Sequence, residues 1–272
     1  MDEIDNLKKT ILNEYPRLHA RDKFKFACHP GVECFNECCS DVNIFLTPYD
    51  IIRMKNRLGI DSREFLKKYT LTPIEKSQKH PVVMMKMTED EKKRCHFVTE
   101  EGCSIYSDRP WPCRMYPLGF ASPSDKNKKD EDEFYFLMKE DVCKGFEEDR
   151  EWTVEDWMND QEVREYNELG ELFKEVSLHP YLEGARELPP EKMEMFYLVC
   201  YDIDTFRRFV LESSFLDRFE VEKDIIDKIR EDDVELFKFG IRWLKFSLYG
   251  EPTMKINQQA TDKIKGETKK QA

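Results

Sequence analysis

The most regular pattern of apolar positions lies between residues 234 and 248. Two apolar stripes with gaps of three and four residues run side by side there, and such gaps place side chains on one face of an α-helix. Together they make the helix apolar around most of its circumference, which predicts either deep packing or a face that meets a protein partner. The stripes are Val234, Phe237, Ile241, Leu244 and Leu248, and Leu236, Phe239, Trp243 and Phe246.

Helical signals occupy most of residues 151–250. Thr153 is suited to cap one helix, and the pair Pro189-Pro190 is suited to begin another, because proline fits the first helical turn. Cys200 falls in the second of these helices among aromatic and branched side chains, so it is interpreted as a buried core thiol. Residues 251–272 are polar, rich in lysine and without periodicity, and they are expected to form a disordered tail.

The first half of the chain shows shorter runs. Residues 42–46 form a β-prone run that leads directly into a helix start. Thr47 is a plausible N-cap, Pro48 occupies the first helical position, and Asp50 favours the positive end of the helix dipole. Gly59 is expected to end this helix.

Further along, residues 81–87 and 95–98 are apolar runs separated by a charged turn, which predicts a β-hairpin. Residues 104–117 contain three prolines and are predicted to form a stiff loop. Residues 134–138 are strand-like.

These patterns predict an α+β protein. An irregular, cysteine-rich metal-binding domain with short strands and helices is expected to pack against a mainly α-helical C-terminal half. The predicted ranges are residues 1–23 for an N-terminal helical segment, 24–150 for the cysteine-cluster domain, 151–250 for the helical domain and 251–272 for the tail.

Composition excludes several classes of function. The net charge of −12 disfavours a nucleic-acid surface, because phosphate binding depends on clustered Lys and Arg. No run approaches the ~18 to 20 apolar residues of a membrane helix, so we expect no membrane contact. The chain also lacks a Walker A loop and a G-x-G-x-x-G turn, which argues against a nucleotide bound by those devices. A hydrophobic fraction of 40% nevertheless supplies enough material for a folded core.

The cysteines change the picture most. Eight of the nine lie between residues 28 and 143, far more than packing requires, and thiolates are the preferred ligands of zinc and iron–sulfur clusters. A disulfide framework belongs to short secreted chains, whereas the N-terminus here has no apolar leader, so a reducing cytoplasmic location is expected. The predicted metal ligands are Cys28, Cys34, Cys38, Cys39, Cys95, Cys103, Cys113 and Cys143.

The spacing of the cysteines leaves the metal and the number of centres open. No C-x2-C knuckle or ferredoxin run is present. Neighbouring side chains point to opposite sides of an extended segment, so Cys38 and Cys39 either serve two centres or only one of them ligates. Eight thiolates form two four-thiolate sites, or one cluster with spare thiols for redox chemistry. His29 and His96 each follow a cysteine, but eight thiols already suffice for two tetrahedral sites.

Two arginines flank Cys113. Arg109 and Arg114 are candidates to contact the cofactor, because a guanidinium can offset the charge of a four-thiolate site or donate hydrogen bonds to sulfur. The alternative is that they anchor the loop by pairing with carboxylates.

Both cysteine blocks resemble the YkgJ-type cysteine-cluster family, described as zinc- or iron-chelating proteins and predicted iron–sulfur oxidoreductases. The likeness covers about residues 24–146. One difference is that the common form begins C-x2-C-x2-C-C, whereas the spacing here is C-x5-C-x3-C-C. The matching pieces are Phe26-Ala-Cys28, Cys34 to Cys39, Val42 to Asp50, and Gly102 to Pro117, with Cys95 before the last piece and Cys143 after it.

This resemblance implies a metal-binding protein that holds an iron–sulfur cluster or zinc, with the iron–sulfur cluster favoured, and it implies a redox or electron-transfer role as an oxidoreductase. Two alternatives stay open. One is a zinc-stabilised module that binds a protein through the helical half. The other is a protein lysine methylase-like enzyme, because a flagellin lysine N-methylase is similar to this family.

Overall fold

The computed structural model describes residues 15–73, 78–121, 133–182 and 188–257. Its helices and short strands in small sheets confirm the predicted α+β class. The described residues belong to two compact units. The cysteine unit is drawn from Met1–Val42 and Met87–Glu165, and the helical unit from Asn43–Lys86 and Tyr166–Ala272.

The described residues form helices, short 3-10 helices and short strands. The helices are Pro48–Leu58, Ser62–Tyr69, Trp111–Met115, Val154–Asp160, Arg164–Ser177, Pro190–Cys200, Ile203–Glu212, Phe215–Arg218, Lys223–Glu231 and Asp233–Tyr249. Short 3-10 helices are Glu37–Cys39, Tyr106–Asp108, Lys144–Glu147 and Pro180–Leu182. The strands are Lys23–Lys25, Phe45–Leu46, Thr70–Leu71, Val83–Met85, Val98–Thr99, Gly102–Cys103, Leu118–Ala121, Phe134–Leu137, Glu151–Thr153, Phe219–Glu220 and Lys255–Ile256.

The cysteine unit is built from antiparallel strand pairs around a small core. Strand Lys23–Lys25 pairs with Glu151–Thr153, and strand Leu118–Ala121 pairs with Phe134–Leu137. The strands bring apolar side chains from both ends of the unit into one cluster, which supplies its hydrophobic stabilisation. Its buried members are Phe24, Phe26, Met115, Leu118, Val154, Trp157 and Val163.

The start of the chain differs from the sequence prediction where it is described. Residues 1–14 of the predicted helical segment lie outside the described residues. Leu18 forms an antiparallel bridge with Tyr135, with its N–H 2.7 Å from the carbonyl oxygen. Lys23 already belongs to a strand. The described part of residues 1–23 is therefore extended rather than helical.

Residues 43–86 belong to the helical unit and contain a three-stranded antiparallel sheet with Val83–Met85 in the middle. The predicted hairpin between residues 81–87 and 95–98 is wrong, apart from a single bridge between Met87 and Cys95. Strand Val83–Met85 instead pairs with Phe45–Leu46 on one side and Thr70–Leu71 on the other. With both edges occupied, this strand has no free backbone groups for a further partner.

The first helix of this unit begins and ends as its sequence predicts. The hydroxyl of Thr47 accepts a hydrogen bond from the N–H of Asp50, whose carboxylate accepts one from the N–H of Thr47. Pro48 stands at the first helical position. Gly59, with a φ of 65°, ends the helix in the left-handed conformation that glycine adopts at low cost.

Helix Asp233–Tyr249 is deeply packed within the helical unit. Both predicted stripes contribute fully buried side chains, including Leu236, Phe237 and Leu244. Cys200 is 2% exposed, which confirms it as a core thiol. Binding of a protein through the helical half stays a prediction.

The end of the described chain carries structure beyond residue 251. Strand Lys255–Ile256 pairs with Phe219–Glu220, so this part of the predicted tail is ordered. Residues 258–272 lie outside the described residues. The two units also divide the chain differently from the predicted ranges, because residues 43–86 interrupt the cysteine-rich part. Every helix in the described residues is too short or too polar to cross a lipid bilayer.

Candidate metal centre

All eight predicted ligands lie in the cysteine unit, and their sulfurs sort into two groups of four by their electrostatic neighbours. These eight cysteines are in the reduced form, outside any disulfide, and each is partly or largely accessible. The first sulfur group consists of Cys28, Cys34, Cys38 and Cys143. The second sulfur group consists of Cys39, Cys95, Cys103 and Cys113.

The first sulfur group forms where the segment that contains Cys28 contacts the segment that contains Cys143. Beyond strand Lys23–Lys25, the N–H of Ala27 donates to the carbonyl of Gly145 at 3.0 Å. This contact places Cys28 beside the segment that carries Cys143. A Cβ atom at Gly145 would lie 2.6 Å from the carbonyl oxygen of Ala27, so glycine is required for this close approach.

Gly145→Ala is therefore expected to lower the free energy of unfolding by about 1–3 kcal/mol, the usual cost of overpacking. Urea-induced unfolding measures it. Gly170→Ala is the matched control, because a Cβ atom at Gly170 in helix Arg164–Ser177 meets nothing within 4 Å. Alanine there should leave stability unchanged or raise it by up to about 1 kcal/mol. Equal effects of the two substitutions would contradict the close approach at Gly145.

Cys34 receives a hydrogen bond from the backbone. The N–H of Lys144 donates to its sulfur at 3.1 Å. A backbone N–H directed at sulfur stabilises the thiolate form, which is the form that binds metal. The same segment therefore supplies both a sulfur, from Cys143, and a hydrogen bond to the sulfur of Cys34.

A tight turn brings Cys38 and Cys39 to the surface between the two groups. Asn36 adopts a φ of 70°, which asparagine tolerates, and precedes the 3-10 helix Glu37–Cys39. The side-chain amide of Asn36 donates to the carbonyl of Thr99 at 3.0 Å. This hydrogen bond connects the turn to the hairpin of strands Val98–Thr99 and Gly102–Cys103, which contains Cys103 of the second sulfur group.

The second sulfur group is assembled by a short hairpin and a short helix. The N–H of Cys95 donates to the carbonyl of Cys39 at 2.7 Å. Val98 then lies opposite Cys103 across strands Val98–Thr99 and Gly102–Cys103. Cys113 lies on helix Trp111–Met115, within the segment that the sequence analysis predicted to be a loop. That prediction was wrong because two of its prolines stand at or before the first helical turn, where proline favours a helix start.

The pKa shifts show which sulfurs are neighbours. The pKa of Cys28 is raised to about 11. Burial is the main cause, and the negative charges of the other three sulfurs of the first group add to it. A hydrogen bond with Cys38 is the main cause that raises the pKa of Cys39, followed by burial and by the charges of nearby thiols that include Cys113 and Cys95. The pKa of Cys95 is raised by burial and also by Cys103. Thiolates in each group therefore destabilise one another in the absence of a positive ion.

Cys38 and Cys39 are adjacent in the chain but have different neighbours. Because the Cys39 thiol donates a hydrogen bond to the Cys38 sulfur, the pKa of Cys38 is lowered to about 7. Cys38 is a neighbour of Cys28, whereas Cys39 is a neighbour of Cys95. The turn thus contributes one sulfur to each group.

The donor chemistry of both groups fits zinc or iron, because soft thiolates select these metals. Within the described residues, no three His, Cys, Asp or Glu side chains already converge on a point that could hold an ion. Four thiolates are negatively charged and repel one another, so they converge on one point only around a positive ion. His29 and His96 are both exposed, and His29 lies 3.4 Å from a carboxylate oxygen of Glu148.

The two arginines that flank Cys113 are both buried and both donate to loop carbonyls. The Nη1 of Arg109 lies 2.8 Å from the carbonyl of Tyr106, and the Nε of Arg114 lies 3.0 Å from that of Arg109. Burial raises the pKa of both Cys28 and Cys103, and the positive charge of Arg109 opposes that rise. Both arginines therefore fix the loop, and Arg109 also lies within electrostatic reach of one sulfur from each group.

Two residues of this region, Gln161 and Tyr116, are not among the predicted site residues. Gln161 holds both arginines, since its side-chain oxygen accepts from Arg109 and its carbonyl accepts from Arg114. Tyr116 lies between Cys113 and Pro117 in the second cysteine block, and its hydroxyl faces the first sulfur group. Proximity in the chain to the cysteine block is the signal by which Tyr116 could have been found.

Comparison with known proteins gives one match. Residues 27–144 match the family model CxxCxxCC, described as "Putative zinc- or iron-chelating domain". The matched residues include all eight cysteines of the two sulfur groups. No curated protein and no solved structure matches the chain. This match supports the resemblance of residues 27–144 to a family of zinc- or iron-chelating domains.

Proposed function

We propose that the cysteine unit is an iron–sulfur protein with two four-thiolate centres, one at each sulfur group, and that it transfers electrons. The observation that carries this proposal is the division of eight thiols into two groups of four within one unit. Without metal, neighbouring thiolates are unfavourable, because the negative charge of each one raises the pKa of the others. A bound metal ion removes this repulsion.

The surroundings of the sulfurs support a charged metal–thiolate centre. The N–H of Lys144 directs a partial positive charge at Cys34. Arg109 adds a full positive charge near Cys28 and Cys103. Contacts of this kind around a metal centre offset the negative charge of four thiolates and tune the affinity and potential of the metal.

Exposure of part of the first sulfur group suits a redox centre. Cys28 and Cys38 are exposed, so an electron-transfer partner could approach that side of the centre, whereas zinc has no redox chemistry. When bound, an iron–sulfur cluster would supply one-electron exchange. The residues of the chain would bind it, orient it through Arg109 and the backbone, and leave one side near the surface.

An anaerobic reductive titration tests this function. The protein with its native metal should show visible absorption that bleaches on reduction and returns on oxidation, with a measurable potential. Arg109→Gln should lower that potential, because the positive charge stabilises the more negative reduced state. Arg150→Gln is the control, since Arg150 is also a cation stacked on an aromatic ring, with its Cζ 3.9 Å from the Trp152 ring centroid. A metal that stays redox-silent over the accessible range would overturn the electron-transfer proposal.

A further inference from the structure

Tyr116 holds a fixed position at the edge of the first sulfur group. It ends helix Trp111–Met115, with its N–H 3.2 Å from the carbonyl of Pro112. Its ring packs edge-on against Phe26, with centroids 5.8 Å apart and planes at 76°. Both the tyrosine and Cys143 pack against the core cluster of the cysteine unit.

The hydroxyl of Tyr116 is buried and has no hydrogen-bond partner within normal reach in the described structure. A buried hydroxyl without a partner lowers stability, so an unsatisfied one calls for an explanation such as an ion or ligand that is bound in the working protein. The phenol ring could have been phenylalanine at no cost to the packing with Phe26. The hydroxyl therefore indicates an acceptor at this place.

The candidate acceptor is sulfur. The Cys143 thiol is a neighbour of the hydroxyl, and both side chains pack against the same core cluster. A phenol has an ordinary pKa of about 10, so at neutral pH the hydroxyl carries its proton and can donate it to a negative group. Cys143 is near enough to act on it, yet no hydrogen bond of normal geometry joins the two.

We infer that Tyr116 is a positioning residue for the first metal centre, and that its hydroxyl donates a hydrogen bond to the Cys143 sulfur when that sulfur ligates metal. A ligating thiolate keeps lone pairs that accept such bonds, and these bonds set the affinity and potential of the centre. The backbone N–H of Lys144 already plays the equivalent part for Cys34. This inference rests on the proposed function.

The test is Tyr116→Phe, which removes the donor and keeps the ring. The control is Tyr135→Phe, because Tyr135 packs against the same core cluster and its pKa is raised by burial and by Glu133 rather than by a cysteine. Each protein is purified anaerobically with its native metal, and two quantities are measured: the affinity for that metal in competition with a chelator, and the reduction potential.

Tyr116→Phe should weaken metal binding at one centre about tenfold, the lower end of the effect of such contacts. The potential should fall, by about 59 mV for each tenfold difference between the two oxidation states. Tyr135→Phe should change neither quantity. Near-UV circular dichroism should show that both variants are folded. A purely structural role of Tyr116 would leave the reduction potential unchanged, so a changed potential in a folded variant supports the hydrogen bond.

Three outcomes would overturn the inference in distinguishable ways. If the parent protein holds metal but Tyr116→Phe matches it in affinity and potential, only the role of Tyr116 fails. If the parent protein holds neither iron nor zinc, the proposed function fails and the role of Tyr116 with it. If the parent protein holds zinc, chelator affinity alone decides, and an unchanged affinity in Tyr116→Phe overturns the inference.

Discussion

Replacing Cys34 and Cys143 together with serine is expected to empty the first sulfur group of metal and leave the second filled. Replacing Cys103 and Cys113 should do the reverse, because a serine hydroxyl is a poor substitute for a soft thiolate ligand. The four substitutions combined should abolish metal binding. Metal content per chain, determined by mass spectrometry of the intact anaerobic protein, measures each step.

The ninth cysteine provides the matched control. Cys200 is buried in the helical unit, so Cys200→Ala should leave metal content unchanged. If either double substitution emptied both groups, the eight cysteines would form one centre with spare thiols rather than two separate centres. Loss of metal in Cys200→Ala would contradict the assignment of binding to the cysteine unit.

Removing the metal is expected to open the cysteine unit while the helical unit stays folded. The two strands of the hairpin that contains Cys103 are only two residues long, so we expect the loops around them to depend on the metal. Structural metal sites of small domains contribute ~10–16 kcal/mol in zinc-finger peptides, which exceeds the effect of any single side chain. The helical unit has its own buried core and no ligands among the eight cysteines.

Limited trypsin digestion after treatment with a chelator measures this effect. Cleavage near Lys92 and Lys144 should become much faster without metal. Cleavage within helices Pro48–Leu58 and Asp233–Tyr249 should stay slow, although the first of these lies between the cysteine blocks in the sequence. Equal cleavage rates at Lys92 and Lys144 with and without metal would show that the cysteines are not structural ligands.

Local signals predicted several elements of this fold correctly. The capping residues Thr47 and Gly59 define a helix by hydrogen bonds within a few residues of each other, so the sequence suffices to locate it. The apolar stripes of Asp233–Tyr249 likewise repeat often enough to be unambiguous. The two cysteine blocks identified the metal-binding part without any structure, because thiols at this density have few other uses.

The parts that depend on distant residues could not be predicted. Strands of two or three residues show too few alternations to reveal their partners, so the pairing of Val83–Met85 with Thr70–Leu71 had no sequence signal. The division of Cys38 and Cys39 between two groups depends on the left-handed turn at Asn36. The buried hydroxyl of Tyr116 is recognisable only once Phe26 and Cys143 are seen around it.

The central claim is that the cysteine unit holds iron–sulfur centres at its two sulfur groups. The most direct measurement is the content of iron, zinc and acid-labile sulfide in the full chain purified without oxygen. The account predicts iron and sulfide together, in amounts that require more than one centre per chain. Zinc without sulfide would contradict the redox function and favour a zinc-stabilised module, and protein with reduced cysteines but neither metal would contradict the account as a whole.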